Sequence, residues 1–270
     1  MQQNKKFIAP GAWFSMYYPA TWSEFEDGEG SFLFYNPEKW SGNFRISAFR
    51  GEASYAKESI REELKENPSA SRVKIGEWEC VYGKELFEED GNFYTNHYWL
   101  TGENDLLFEC SMTVAKGEPV AEAEAVIASI EVRKQGMKYP AEIIPVRLSE
   151  IYLINEAYEW VEKNVKDVLS KDFQGAEEDV LKMQELVDKN IIAPKKKENW
   201  MYMGIVLCVI LANEVDGMEW KTLIDGNREA PILFNTNTDQ WIDPMKLAWS
   251  KVKAGEKCNL TDAYQELLNA

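Results

Sequence analysis

The chain has 270 residues, of which 45 % are hydrophobic and 28 % charged, a composition that suits a folded protein and excludes global disorder. Its 46 acidic and 30 basic side chains give a net charge of −16. Nucleic acids and anionic membrane surfaces bind clustered lysine and arginine, so this charge argues against both as partners. The length exceeds what one hydrophobic core usually needs and predicts two domains.

No export or membrane signal stands out in the sequence. The N-terminal residues MQQNKKFIAPGAWF contain two lysines, but no apolar stretch of the length that a secretory signal has follows them. The most apolar segment, 204–212, is far shorter than the roughly 20 residues that cross a bilayer. These features predict a cytoplasmic protein without a membrane partner.

The first half has the two-residue periodicity of β-strands, with glycine, proline and asparagine between the apolar runs. Strands are predicted at 13–18, 31–35, 44–49, 78–86, 93–100, 106–114 and 130–132, and helices at 54–67 and 119–129. The order of three strands, a helix, three strands and a helix favours an antiparallel sheet with packed helices.

The second half changes to helical periodicity after a segment that contains glycine and prolines. Helices are predicted at 148–168, 176–190, 200–215, 244–253 and 261–268, with a β-hairpin at 218–235. The sequence therefore predicts an α+β protein with an N-terminal antiparallel-sheet domain, 1–138, a linker, 139–146, and a mainly helical C-terminal domain with a small β-hairpin, 147–270.

The first 133 residues resemble the PsbP-like fold, which Mog-type Ran-binding proteins share. The segments that carry the resemblance are 18–22, 34–37, 43–47, 75–80 and 128–132. The resemblance implies an antiparallel sheet that carries helices, and a binding role without catalysis. The second half resembles a bacterial domain of unknown function that accompanies such a module, through the helix around Gly204, the segment 217–220 and Pro244-Met245. That second resemblance implies no catalytic residues.

Nucleophilic catalysis and zinc binding would both have to use His97, the only histidine. No Gly-x-Ser-x-Gly motif accompanies it, and Cys80 and Cys110 come from separate predicted strands without a local ligand pair. We therefore predict a structural or surface histidine, no catalytic residue, no metal site and no cofactor. The scattered spacing of the four cysteines predicts free thiols.

One face of the predicted sheet combines polar residues with aromatic ones. If Phe44, Tyr98 and Cys110 face the core, the opposite face holds the candidate partner-binding residues Arg45, Ser47, His97, Trp99 and Glu109. Protein interfaces favour such a mixture. The alternative is that a helix or the second domain covers this face.

Two functions are consistent with these features. The first is a non-catalytic cytoplasmic protein that binds another protein as an adaptor, a chaperone or an immunity-type partner. The second is a hydrolase that uses carboxylates in a cleft between the two domains. The sequence leaves the oligomeric state and the identity of the partner open.

Overall fold

The structure is a computed structural model that describes residues 4–28, 30–134 and 136–269. The chain forms two compact units, one that runs to Pro140 and one that begins at Ala141. The predicted α+β class is confirmed, with antiparallel sheets in the first half and a mainly helical second half that carries a small sheet.

The first unit consists of strands and two helices. In chain order they are β1 (Asn4–Ile8), β2 (Phe14–Pro19), β3 (Ser23–Gly28), β4 (Ser31–Tyr35), β5 (Asn43–Arg50), α1 (Tyr55–Glu66), β6 (Ser71–Ile75), β7 (Trp78–Glu89), β8 (Asn92–Glu103), β9 (Leu106–Ala115), α2 (Ala121–Ala128) and β10 (Glu131–Val132).

Seven of these strands form one antiparallel sheet in the order β3-β4-β5-β9-β8-β7-β6. The strands β1, β2 and β10 form a smaller sheet. The main core of the unit lies between one face of the large sheet, the small sheet and α2, and it is rich in phenylalanine. Edge-to-face ring contacts such as Phe7–Phe34 and Phe14–Phe108 stabilise it. We call this sheet face the core face.

The opposite sheet face, the outer face, is partly covered by α1. This helix lies over β7, β8 and β9, where Ala56 is buried against Gly102. A side chain at Gly102 would meet both Ala56 and the backbone of β9, so the close approach of helix and sheet requires glycine there. Among the described elements of the first unit, no helix covers the outer face of β4 and β5.

The second unit is mainly helical. In chain order its elements are β11 (Glu142–Pro145), α3 (Leu148–Asn164) with a π-helical turn (Val165–Leu169), α4 (Asp179–Asp188), α5 (Lys197–Glu214), β12 (Met218–Asp225), β13 (Arg228–Asn235), β14 (Gln240–Ile242), α6 (Pro244–Leu247), α7 (Trp249–Lys253) and α8 (Leu260–Leu268).

The helix α5 forms the centre of this unit. It is apolar nearly all round, and its residues from Tyr202 to Cys208 are buried among α3, α4, α6, α7 and α8. Polar contacts secure the periphery of the unit. Asp243 accepts a hydrogen bond from the backbone N–H of Met245 at the start of α6.

The predicted linker and hairpin need correction. Residues 142–145, placed in the linker, form β11 and pair with β12. The predicted hairpin is the middle of a four-stranded sheet, β11-β12-β13-β14. Both added strands have four residues or fewer, and pairing with the neighbouring strand makes such short segments regular, so two-residue periodicity could not reveal them.

All four cysteines are free and buried. Burial raises the pKa of the thiols of Cys110 and Cys208 well above the usual range, and that of Cys258 to about 11. These thiols are therefore protonated and unreactive at neutral pH. In the part of the chain that the structure describes, no helix has the length and apolar character needed to cross a membrane.

Candidate functional site

The five predicted partner-binding residues lie on two different faces of the seven-stranded sheet. Arg45, Ser47 and Glu109 lie on the outer face, as predicted. His97 and Trp99 lie on the core face, and only 1 % of Trp99 is exposed. The predicted site therefore does not exist as one surface.

The error lies in the face assigned to β8. Directly paired residues of an antiparallel ladder share a face, and Trp99 pairs with the core residue Cys110. A hairpin loop of two residues and a loop of four both pair odd-numbered residues of β8 with even-numbered residues of β9. The even length of the loop after β8 therefore already indicated that Trp99 and Cys110 share a face. Aromatic residues occur at both parities of β8, including Tyr98, and periodicity alone could not decide between them.

His97 packs among aromatic side chains on the core face. Its Nδ1 lies 2.7 Å from the Tyr82 hydroxyl oxygen, and its ring stacks against the rings of Tyr82 and Trp99, which also contact each other. Desolvation lowers its pKa, and the positive charge of Lys84 lowers it further. The imidazole is therefore neutral at pH 7 and contributes packing and one hydrogen bond.

The centre of the outer face is polar, and its side chains bond to one another. Ser31 accepts hydrogen bonds from Arg45 Nη1 at 3.1 Å and from the Ser47 hydroxyl at 2.9 Å. On the neighbouring strands, the Thr113 hydroxyl donates to Asn96 Oδ1 at 3.2 Å. This mutual bonding fixes the side chains without burying them.

An aromatic cluster of Trp40, Phe87 and Tyr94 borders the polar centre. The rings of Trp40 and Tyr94 meet edge to face with centroids 6.0 Å apart, and those of Phe87 and Tyr94 stack at 5.6 Å. Trp40 is 44 % exposed, and its Nε1 donates a 2.7 Å hydrogen bond to Asn43 Oδ1. The bond holds a large apolar ring at the surface in one orientation.

Sequence analysis missed this cluster because its members come from three segments. Trp40 belongs to the loop between β4 and β5, and Phe87 and Tyr94 face each other across the β7–β8 hairpin. The turn Asp90-Gly91 was the signal that could have paired the two hairpin residues. Nothing in the sequence pattern brings Trp40 to them.

Glu109 lies where the outer face meets α1. Desolvation raises the pKa of its carboxyl group, and the negative charge of Glu63 raises it further. Glu63 is held in place by the Tyr98 hydroxyl, which donates to its Oε1 at 3.1 Å, and by the side-chain amide of Asn67. This end of the face therefore carries two carboxylates close enough to repel each other.

Metal-ligating side chains do not cluster in the described residues. Among them, no group of three or more His, Cys, Asp or Glu side chains could hold a metal ion. A pocket of about 490 Å³ in the second unit contains Arg228, but this side chain donates to Asp243 at 2.6 Å. Asp243 therefore neutralises the charge of Arg228, and Lys197, Lys246 and Glu229 also line the pocket.

The fold and this surface describe an α+β protein with an open mixed sheet face, and two known family models match the chain. The chain belongs to the family described as Domain of unknown function (DUF3805), whose model matches residues 2–155. Residues 179–264 match the model described as Domain of unknown function (DUF3806). The predicted domain of unknown function in the second half is thereby confirmed.

Solved structures extend the comparison. A crystal structure of a protein from Bacteroides thetaiotaomicron VPI-5482 at 1.50 Å resolution is 64 % identical, with a TM-score of 0.96 over 100 % of this chain and 99 % of that one. The solution structure of cyanobacterial PsbP (CyanoP) from Synechocystis sp. PCC 6803 is 12 % identical, with a TM-score of 0.27, and covers 49 % of this chain and 94 % of its own.

A third match is the crystal structure of LpqN, involved in cell envelope biogenesis of Mycobacterium tuberculosis. It is 14 % identical, with a TM-score of 0.32, and covers 49 % of this chain and 91 % of its own. One of these two partial matches is a PsbP, the fold that the first half of the sequence resembles. A comparison with curated proteins gave no match.

Proposed function

We propose that the protein is a non-catalytic protein-binding module of the adaptor, chaperone or immunity type, and that its partner docks on the outer face of the first unit. The observation that carries this proposal is the exposed Trp40 ring, which Asn43 orients beside Tyr94. Exposed tryptophan and tyrosine rings supply most of the binding energy at many protein interfaces, and an oriented ring loses little entropy on binding.

The polar centre of the outer face supports the same function. Its side chains Ser31, Arg45 and Ser47 bond to one another. Because they are polar, the face stays hydrated when no partner is present. A partner that covers them therefore meets polar groups that already have hydrogen-bond partners. Interfaces commonly combine such a polar part with aromatic anchors.

The charge of the chain favours a basic partner. A net charge of −16 accelerates encounter with a positively charged surface, because long-range attraction steers the approach. The proposed setting is the cytoplasm, a reducing compartment in which four buried free thiols remain stable.

Photo-crosslinking and a matched pair of tryptophan variants test the proposal. A benzophenone amino acid at Ser111, on the outer face, would identify the partner in a native lysate, and the partner would then be purified. Its affinity is measured for the wild type, for Trp40→Ala and for Trp241→Ala. Trp241 is 38 % exposed and belongs to the second unit, so it is the matched control.

We expect Trp40→Ala to weaken binding about thirtyfold, which is about 2 kcal/mol, and Trp241→Ala to leave it unchanged. Thermal melting of both variants confirms that they are folded. Equal affinities for the wild type and the Trp40 variant would show that the partner does not use this face. A partner that binds equally poorly to both variants would point to a general loss of stability.

A further inference from the structure

The strand β7 is longer than its neighbour β6, and this leaves part of the sheet edge open. The residues of β6 pair with residues 78–82 of β7. From Lys84 to Glu89, β7 pairs with β8 on one side, and no strand among the described residues pairs with its other side. The side chains of residues 84–89 are all exposed.

The phase of the β7–β8 ladder identifies the backbone groups at this open edge. The turn residues Asp90 and Gly91 have φ values of 50° and 77°, which is the type I′ hairpin geometry. The residues that flank such a two-residue turn, Glu89 and Asn92, form a hydrogen-bonded pair. Hydrogen-bonded pairs then alternate along the ladder, so Phe87 bonds to β8, and Leu86 and Glu88 direct their N–H and C=O groups to the open side.

The β6–β7 hairpin gives the same phase independently. Ile75 and Trp78 flank a two-residue turn and are therefore a hydrogen-bonded pair. Two and four residues further along β7, Cys80 and Tyr82 also bond to β6. Even-numbered residues of β7 thus point their backbone groups away from β8, and this continues to Leu86 and Glu88 beyond the end of β6.

The open edge lacks most of the features that protect such edges. Protected edge strands carry lysine, proline or a bulge, whereas the described pairing of β7 with β8 has no register shift and residues 84–89 contain no proline. Exposed apolar side chains lie near the edge on both sheet faces. Leu86, 56 % exposed, and Phe93, 50 % exposed, lie on one face, and Phe87 lies on the other.

The charge of the edge indicates what kind of strand would fit it. Lys84 is the only basic residue between positions 84 and 90, and its acidic neighbours are Glu85, Glu88, Glu89 and Asp90. A second copy of the chain would bring the same acidic residues to the edge. An extended segment that alternates apolar and basic residues would instead place its apolar side chains beside Leu86 on one sheet face and its basic side chains beside Glu85 and Glu89 on the other.

We propose that the open edge of β7 binds a basic, apolar segment of a partner protein, which adds to the seven-stranded sheet as an antiparallel strand beside Lys84–Glu89. The main chain of Leu86 supplies two of the hydrogen bonds, and Lys84 and Glu88 extend the ladder on either side. The inference rests on the proposed function only in taking the partner to be a protein. It does not require the outer face to be occupied.

The test uses a synthetic nine-residue peptide that alternates valine and lysine, with a valine–glutamate peptide as the control. Backbone amide exchange of the isotope-labelled protein is followed by NMR with each peptide. In the free protein we expect fast exchange at Leu86 and Glu88 and slow exchange at Phe87. The basic peptide should slow exchange at Leu86 and Glu88 at least tenfold and leave Phe87 unchanged, and the acidic peptide should have no effect.

Two variants distinguish the contribution of the Leu86 main chain to peptide binding from that of its side chain. Leu86→Ala keeps the outward N–H, whereas Leu86→Pro removes it without removing a hydrogen bond to β8. We expect the proline variant to bind the basic peptide at least tenfold more weakly than the alanine variant. Slow exchange at Phe87 in both Leu86 variants verifies that the hairpin is intact. Phe87→Pro removes an inward N–H, and it should speed the amide exchange of Glu85 and Glu89, whose N–H groups also point to β8.

Three outcomes overturn the proposal. They are binding of the basic peptide without the alternating protection, equal affinity of the two Leu86 variants, and protection at Leu86 and Glu88 in the free protein that grows with protein concentration. The last outcome would assign the edge to a second copy of the chain. None of these results depends on Trp40, so they leave the proposed partner face to be judged by the tryptophan variants.

Discussion

The Cα atom of Gly204, in the middle of α5, packs directly against the backbone carbonyl of Pro244 at the start of α6. A Cβ atom at this position would overlap the carbonyl oxygen, and the other near atoms are also backbone atoms of Pro244. Neither side can yield by a rotamer change. The two helices therefore approach this closely only because residue 204 has no side chain.

Gly204→Ala is expected to destabilise the second unit by about 1–3 kcal/mol or more, the usual cost of overpacking a buried contact. In an exposed helix interior the same change stabilises by about 1 kcal/mol, so a loss of stability is diagnostic of the contact. Urea unfolding measures it. Gly28→Ala is the control, because nothing lies within 4 Å of a Cβ there. Unchanged stability of the Gly204 variant would contradict the close contact.

Much of the fold could be predicted because its local signals agree. The hairpin turn Asp90-Gly91 and the apolar helix α5 are each determined by residues close together in the chain. The short strands β11 and β14 could not be predicted, since only pairing with β12 and β13 makes them regular. Their existence depends on tertiary contacts, which periodicity does not contain.

The candidate face was only half predictable for a similar reason. Arg45 and Glu109 follow from clear alternation in β5 and β9, where apolar residues occupy one parity. In β8 both parities are aromatic, so the face of Trp99 depends on its partner strand. Trp40 lies in a loop, and its contact with Tyr94 arises from the position of the loop over the end of the sheet.

Asp179 is a buried carboxylate at the N-terminal end of α4, and it organises the preceding loop. Its Oδ2 accepts hydrogen bonds from the backbone N–H groups of Gln174 at 2.7 Å, Gly175 at 2.8 Å and Ala176 at 3.2 Å. Its Oδ1 pairs with Lys182 at 2.5 Å. Burial alone would raise the pKa of this carboxyl group, but these hydrogen bonds and the lysine outweigh burial and lower it.

Asp179→Asn should therefore cost about 2–4 kcal/mol at pH 7, because the charge that compensates Lys182 and the backbone donors is lost. A carboxyl group whose pKa is lowered by folding stabilises the native state at pH values above its unfolded pKa of about 3.9. This stabilisation is lost as the pH falls through the folded pKa. The difference between the wild type and the variant should be constant from pH 5 to 8 and shrink below about pH 4. A difference that persists undiminished at pH 3 would mean that packing, rather than charge, is responsible.

The same substitution should cost far more stability at Trp99 than at Trp40. Trp99 packs in the main core of the first unit, so Trp99→Ala should cost about 3–5 kcal/mol. Trp40 is half exposed, and Trp40→Ala should cost less than about 1 kcal/mol. Chemical unfolding of both variants measures the contrast. Similar losses from the two substitutions would contradict the assignment of Trp99 to the core face.

Glu109 offers a test in the opposite direction, because its replacement should stabilise the protein. Folding raises the pKa of this carboxyl group, first through desolvation and then through the charge of Glu63, so the native state disfavours its ionised form. The resulting loss of folding stability is absent below the unfolded pKa of about 4.3. It grows as the pH rises through the folded pKa and is then constant.

Glu109→Gln removes this penalty and keeps the shape of the side chain. We expect a higher melting temperature than that of the wild type at pH 7, and equal melting temperatures at pH 4 and below. Glu131→Gln, at an exposed position of β10, is the control and should change neither value. A gain that is the same at pH 4 and pH 7 would show that the amide packs better, and a loss at pH 7 would mean that the carboxylate has a favourable partner. The predicted pattern, a gain only where the carboxylate is ionised, would identify Glu109 as a charge that the outer face carries at a cost in stability.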